Sequence, residues 1–526
     1  MQEIKKYLSN ITPREYQEKI FQTCKEKNCL VVLPTGMGKT LVALMLSIER
    51  MQKYPGMKVV LLAPTRPLAE QHMNYFKKHL PELFASMELF TGKVDASKRK
   101  ELWQKADIIF STPQCVANDV KNGLYDLKEV CLLIEDECHR CLKSYDYVYV
   151  AAEFKKQNKN GRILGLTASP GNDLETIKKI NENLGIEAVE IRHRESGDVI
   201  EYIQELKTEI IKVELPAEFV KIRELLNRIF LKKVEELKNR KLLFYPPTKK
   251  FLLDCQRNIM RSIASGNKNF NLFGGASACA IAIKIHHAIE MIETQGTSQT
   301  YNYLKNIIEE ARVGKSKASG QIVKNPDFNK AYLLLTELIQ KNIEHPKLSR
   351  LIEAIKQEFE KKKKARIIVF ANYRDTAIRI SKLINEIGIK ATVFVGQAMK
   401  DGVGLSQKEQ QGIIKDFSLG LIDVLVCTSI GEEGLDIPEV DAVIFYEPIP
   451  SAIRRIQRIG RTARLKSGKL IILITIKTRD EAYHYASIAK EKKMHGILRN
   501  MQENFDNKGS EFNSANKQEK QKKLDY

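Results

Sequence analysis

At 526 residues the chain is too long for a single hydrophobic core, and its 43% hydrophobic and 29% charged residues mark it as globular, with roughly two to four domains expected. Lys and Arg number 86 against 65 Asp and Glu, and the net charge of +21 favours a polyanionic partner such as nucleic acid. No uninterrupted apolar run approaches the ~20 residues of a membrane span, Met1–Asn10 lacks a signal-peptide core, and nine scattered cysteines fit reduced thiols, so a cytoplasmic protein is expected.

The first informative stretch is Cys29–Thr40, CLVVLPTGMGKT. A short β-branched run, Leu30–Leu33, leads into a Gly-rich turn that ends in Lys39 and Thr40 before the helical Leu41–Ile48. A nucleoside triphosphate needs that arrangement. Gly36 and Gly38 let backbone N–H groups close on phosphate oxygens, Lys39 reaches the β- and γ-phosphates, and the Thr40 hydroxyl can ligate Mg²⁺. Thr35, Gly36, Met37, Gly38, Lys39 and Thr40 are therefore the candidate cofactor loop, although Leu33 stands where the general phosphate-loop pattern has its first glycine.

Further strand candidates follow at Val59–Ala63, Ile108–Thr112, Val130–Glu135 and Ile163–Thr167, alternating with helical stretches. The fold class is α/β with a mostly parallel sheet. The run Val130–Ile134 ends in Glu135, Asp136 and Glu137, where Asp136 would hold Mg²⁺ and Glu137 would orient an attacking water. Cys138 and Cys141 form a C-x-x-C, but no second Cys/His pair completes a zinc site.

From about residue 200 to 345 the strand signal gives way to helices. Ile222, Leu225, Leu226, Ile229 and Phe230 make one apolar stripe, and Ile281, Ile285, Ala288, Ile289 and Ile292 make another. Their polar sides carry many Lys and Arg. A second alternating series then runs through Ile367–Ala371, Ala391–Val395, Val424–Thr428, Ala442–Tyr446 and Leu470–Thr475. The expected division is a first lobe over 1–199, a helical insertion over 200–345, a second lobe over 346–499 and a polar, disordered tail over 500–526.

PTGMGKT, APTRPLAEQ, STPQ, DECH, TASP, GEEGLD and QRIGRTAR occur in the order of the superfamily-two helicase motifs, and the series resembles that family. The resemblance implies two RecA-like parallel-sheet lobes with ATP between them and nucleic acid across both. It implies Arg14 and Gln17 as adenine-side contacts, Asp436 as a ribose-side contact, Gln457 as a γ-phosphate sensor, and Arg461 and Arg464 as arginine fingers, with Arg458 holding the motif together. Lys39, Asp136, Glu137, Gln457, Arg461 and Arg464 would form the catalytic set. Nucleic-acid contacts carried over in the same way are Pro64, Thr65, Arg66, Thr91, Gly92, Thr112, Pro113, Asn372, Gly396, Gln397, Thr428 and Ser429. Hydroxyls, amides and glycine backbone suit phosphate oxygens, so sequence-independent binding is expected. Ala463 departs from the pattern, since relatives often have glycine there.

KIHHAIEMIETQG, FVGQA and GLSQKEQ narrow the resemblance to the archaeal Hef and Fanconi-anaemia group M helicases, whose insertion resembles a polymerase thumb. That family implies action on forked or branched DNA in replication-fork repair, and a nucleoid-associated protein whose further partners are a separate nuclease or sliding clamp. No E-R-K…D cluster is present, so cleavage is not expected. Two other readings remain at this point. DECH also occurs in double-stranded RNA sensors, which are RNA-dependent ATPases, and a DNA-binding scaffold could hold ATP without turnover. Intact Lys39, Asp136, Glu137 and Arg461 oppose the scaffold.

Overall fold

The structure is a computed structural model. It describes the chain except residues 172, 195, 203, 268, 398–403, 433–436, 464–465 and 523–526, and the side chains of 506–522. Asp436 and Arg464 thus lie outside the described residues.

Thirteen strands are described: β1 Cys29–Val32, β2 Lys58–Leu62, β3 Met87–Phe90, β4 Ile108–Ser111, β5 Val130–Asp136, β6 Arg162–Thr167, β7 Ala188–Ile191, β8 Leu206–Val213, β9 Ile367–Phe370, β10 Ala391–Phe394, β11 Val424–Cys427, β12 Ala442–Phe445 and β13 Gly468–Thr475. β1 to β7 form one sheet in the order β3-β4-β2-β5-β6-β1-β7, and β8 to β13 form a second in the order β10-β11-β9-β12-β13-β8. Every recorded pairing is parallel. The central strands β1, β2, β4, β5 and β9 are buried along their whole length, which is why they read as continuous apolar runs.

Sequence periodicity misses β3, β7 and β8. β3 and β7 are four residues long, each with a glutamate. β8 is an edge strand on which Lys207, Glu209 and Lys212 interrupt the apolar pattern, as sheet edges often require. It pairs with β13 from Leu206 against Gly468 to Val213 against Thr475. Residues from 206 to 213 therefore belong to the second sheet, and the expected insertion boundary at 200 is corrected to the C-terminal side of Val213.

The insertion is a bundle of helices Ala217–Asn239, Lys249–Ala264, Phe270–Thr294, Thr297–Arg312, Lys317–Val323 and Pro326–Gln340. Both apolar stripes read from the sequence turn inward and form its core. Phe270–Thr294 is long and apolar enough, by length and composition, to cross a membrane, but its isoleucines lie in or against that core.

After β13 the chain forms helix Arg479–Lys522, which returns across the first lobe. Met494 and Leu498 are fully buried in the core that covers one face of the first sheet, and Ile497, Met501 and Phe505 pack partly buried against it. Burial of each large side chain contributes roughly 1.5–3 kcal/mol, enough to hold this helix to the first lobe. The expected disordered tail from residue 500 is corrected at its start: the polar composition there hides a continuation of the helix, with Met501 and Phe505 packed against the first lobe.

Candidate ATP site and nucleic-acid cleft

Parallel strands aligned in register bring their carboxyl ends to one edge, which is where open α/β sheets place ligands. In the first lobe Val32 pairs with Thr167, and Asp136 pairs with Leu166. The phosphate loop after β1, the acidic pair after β5 and the TASP turn after β6 therefore share one edge. In the second lobe Phe394, Cys427, Phe370 and Phe445 align in the same way, so the turns carrying Gly396, Thr428 and Asn372 emerge together.

The loop itself depends on glycine. Gly36 and Gly38 stand at φ 86° and 78°, a region that L side chains rarely adopt. A Cβ on Gly38 would lie 2.1 Å from Gln17 Nε2. Gln17 donates that nitrogen to the Met37 carbonyl at 3.1 Å, and Tyr16 donates its hydroxyl to the same oxygen at 2.8 Å. Gln17 Oε1 also accepts from the Arg14 backbone N–H, closing the start of helix Glu15–Glu26. The residues expected on the adenine side thus brace the phosphate loop. Lys39 and Thr40 open helix Lys39–Lys53, whose N-terminus points its unpaired N–H groups into the loop.

Three consecutive carboxylates take three different environments. Glu135 is fully buried beside Cys138 and Cys141, and burial pushes its carboxyl well above the usual carboxylate range. Asp136 Oδ2 lies 2.8 Å from His72 Nε2, and the hydroxyl of Tyr147 donates to the Asp136 carbonyl at 2.6 Å. Glu137 stands at φ 50°, a left-handed conformation rare for a side chain of this kind. Burial alone would raise its carboxyl, but Lys39, His139 and Arg140 outweigh burial and bring it down to about 2. Lys39, Glu137 and the end of β5 are therefore electrostatically one site. His139 links it to the TASP turn, with Nδ1 3.2 Å from both Glu137 Oε2 and Thr167 Oγ1.

The second lobe closes on this edge. A Cβ on Gly460 would lie 2.7 Å from Thr35 Cβ and 2.9 Å from its hydroxyl, so the helix Ala452–Ile459 ends directly against the phosphate loop. Gln457, Arg458 and Arg461 are buried there. Arg461 Nη2 donates to the Glu432 carbonyl at 2.7 Å, and Arg458 Nε donates to the Glu432 carboxylate at 2.8 Å. Arg194 of the first lobe donates to the Ala463 carbonyl at 3.3 Å. Ala463 stands at φ 54°, a left-handed conformation that favours glycine.

A cavity of about 370 Å³ bridges the lobes away from the phosphate loop. Of the expected nucleic-acid contacts it brings together Pro64, Thr65, Asn372, Gly396, Thr428 and Ser429. Arg140 and Arg374 also line it and were missed, because single arginines between motifs carry no signal in the sequence. Arg66, Gly92, Thr112 and Gln397 are not among its lining residues, and Thr91 and Pro113 are buried. Tyr16, His72 and Gly460 were also missed. Tyr16 is adjacent to Gln17 in the sequence, whereas only the fold brings His72 to Asp136.

Comparison with known proteins agrees with this geometry. A DEAD/DEAH box helicase model matches residues 14–177, a helicase conserved C-terminal domain matches 346–466, and a helical bundle described for a putative ATP-dependent RNA helicase matches 218–345. The crystal structure of the Pyrococcus furiosus Hef helicase domain is similar at 44% identity and a TM-score of 0.69, over 90% of this chain and 98% of that one. The chain belongs to the Hef and Fanconi-anaemia group M family of superfamily-two helicases. Within this family, a putative ATP-dependent RNA helicase of Methanocaldococcus jannaschii is 39% identical over 93% of this chain and 61% of its own length. The ATP-dependent DNA helicase fml1 of Schizosaccharomyces pombe is 32% identical over 89% of this chain and 58% of its own. The mouse Fanconi anemia group M protein homolog is 31% identical over 94% of this chain but 26% of its own length. The chain thus spans less than two thirds of these full-length relatives. The match to the helical-bundle model begins at 218, C-terminal to β8, which lies in the second sheet.

Proposed function

We propose that this chain is an ATP-dependent DNA helicase or translocase motor that binds and remodels forked or branched DNA in replication-fork repair. The observation that carries the reading is the pairing of two sites on one interlobe boundary. Gly460 meets Thr35 at the phosphate loop, and the cavity lined by Thr65 and Thr428 opens between the same two lobes. A change at either site is felt as a movement of one lobe against the other.

ATP with Mg²⁺ fits the residues present. The loop would hold the phosphates through its N–H groups, Lys39 and the helix end, with Arg14 and Gln17 on the base side and Asp436 on the ribose side. Thr40 and Asp136 would hold Mg²⁺, which neutralises phosphate charge when bound. His72 orients Asp136 through the 2.8 Å contact. Glu137, ionised and aimed by its left-handed backbone, is the acceptor that orients the attacking water. Gln457, Arg461 and Arg464 bring positive charge and donors from the second lobe, where charge develops in the transition state. Arg458 positions them by its ion pair with Glu432.

Pro64, Thr65, Arg66, Thr91, Gly92, Thr112, Pro113, Asn372, Gly396, Gln397, Thr428 and Ser429 form the track for the nucleic-acid backbone. Such groups contact phosphates without a base code. Arg140 and Arg374 add charge to that track, and the insertion bundle supplies a basic surface for a second duplex arm. A separate nuclease or sliding clamp completes the partner set, in a cytoplasmic, nucleoid-associated setting.

The names of two comparisons, the archaeal relative and the bundle model, favour a second reading as an RNA-dependent ATPase. ATP hydrolysis measured with forked DNA, linear duplex DNA and duplex RNA separates the two. Strongest stimulation by the fork is expected; strongest stimulation by duplex RNA would overturn the DNA reading.

A further inference from the structure

The insertion carries a recess that neither the ATP site nor the interlobe track uses. It lies between the loop after helix Ala217–Asn239 and the face of helix Lys249–Ala264, with a volume of about 490 Å³, within the ~300–1,000 Å³ range of small-ligand clefts. Buried Leu243, Cys255 and Ile259 make its floor. Tyr245 and Phe251 form one wall as a stacked pair, with ring centroids 4.8 Å apart and planes 13° from parallel. Phe244 is 79% exposed and Tyr245 is 61% exposed, so these rings leave much of their area in water. Two adjacent exposed aromatics add little to folding, and exposed apolar surface of this kind marks a binding site.

Charge narrows the occupant. Lys250, Arg257 and Arg261 are exposed and fall at helical spacing on the stripe that also carries Asp254, a lining residue of the recess. Lys241 lines the recess from the opposite element. The one carboxylate lining the recess, Asp254, is paired with Arg257. Flat aromatic rings beside a basic track are the combination that binds single-stranded nucleic acid, because every base has a stacking face and every nucleotide a phosphate. A peptide occupant of purely apolar character would gain nothing from the basic stripe.

We propose that this recess is a stacking site for an unpaired base of branched DNA, with Tyr245 and Phe244 against the base and Lys250, Arg257 and Arg261 along its strand. The proposal rests on the DNA reading above and deepens it. It supplies what the interlobe track lacks, because backbone contacts see the same phosphates at a junction as elsewhere, whereas an unstacked base exists only at the branch.

The test uses the full chain and two DNAs that carry 2-aminopurine: a fork with the probe at the first unpaired position of one arm, and a linear duplex with the probe paired. With the intact chain, binding is expected to change the probe emission on the fork. The Phe244→Ala/Tyr245→Ala variant is expected to lose that change and bind the fork roughly tenfold more weakly, with linear-duplex affinity held within about twofold. Tyr245→Trp is expected to keep fork binding. Equal weakening on both DNAs overturns the proposal, as does unaltered fork binding with unaltered emission, which would leave an apolar peptide as the occupant. Should the thermal midpoint of the double variant fall, the emission change with Phe244→Ala alone decides, because that ring is almost wholly outside the core. The motor reading fails by a different observation, an intact chain whose ATP hydrolysis no DNA stimulates.

Discussion

Gln295, at the end of the insertion's long helix, donates its Nε2 to Glu447 Oε1 of the second lobe at 3.3 Å. The same Glu447 oxygen accepts the Asn372 backbone N–H at 2.6 Å, and Asn372 Oδ1 accepts from Arg458 Nη2 at 3.0 Å. Arg458 and Arg461 then meet at Glu432. A continuous hydrogen-bonded chain therefore runs from the insertion, through a residue expected to touch nucleic acid, to the arginines on either side of Gly460, which meets Thr35 of the phosphate loop. Gln295 is further fixed by the Thr376 hydroxyl, which donates to its Oε1 at 2.6 Å.

Removing the first link is expected to uncouple the two sites. Gln295→Ala should lower fork-stimulated ATP hydrolysis roughly fivefold, the size of a typical coupling energy, while hydrolysis without DNA stays within about twofold. A double-mutant cycle with Asn372→Ala checks the chain, and additive effects would show that the two residues act separately.

Lys39→Ala and Glu137→Gln are each expected to abolish hydrolysis. Glu137→Gln should leave nucleotide binding nearly intact, because the loop and Asp136 remain. Turnover and nucleotide affinity, measured in parallel, separate the roles, and near-normal turnover in both variants would remove them from the site.

Arg461→Ala should lower turnover by a factor on the order of 10³ with DNA affinity nearly unchanged, since its charge acts at the transition state. Collapse of DNA affinity with surviving hydrolysis would instead make Arg461 a backbone ligand.

Lys347 and Asp480 form an ion pair at 2.7 Å with both side chains fully buried. Lys347→Met leaves an unpaired carboxylate and is expected to destabilise the second lobe by about 3–5 kcal/mol, whereas Lys347→Met combined with Asp480→Leu should recover most of that loss. Denaturant midpoints of the two variants against the intact chain give the answer.

Glu447 provides the pH dependence. Burial raises its carboxyl to about 7, and both of its recorded donors reach Oε1 while Oε2 has no partner, as suits a protonated group. A carboxyl raised in the folded state binds more protons there than when unfolded. Stability should therefore be greatest below about 4.5 for this group and fall as pH rises towards 7, by on the order of 3 kcal/mol. Glu447→Gln is expected to flatten that slope in unfolding measurements across the same window. The Glu137 carboxyl, lowered to about 2, contributes in the opposite sense: its stabilisation is present above about 4.5 and lost as pH falls towards 2.

The sequence alone determined the two parallel sheets, because central strands buried on both faces must be apolar throughout and their spacing by helices leaves few topologies. It also determined the phosphate loop and the acidic pair, since glycines at positive φ followed by Lys39 and Thr40 leave little other use for such a turn. What it could not decide were relations between residues far apart in the chain. β8 reads as the start of the helical insertion until β13 pairs with it, and the polar stretch from residue 500 reads as a tail until Met501 and Phe505 find the first lobe. His72 beside Asp136, Gly460 against Thr35 and the link from Gln295 to Glu447 have no local signature. Secondary structure and loop chemistry follow from short-range sterics and periodicity, which a sequence displays directly. Which distant surfaces meet depends on how whole elements pack, and only the tertiary structure records that choice.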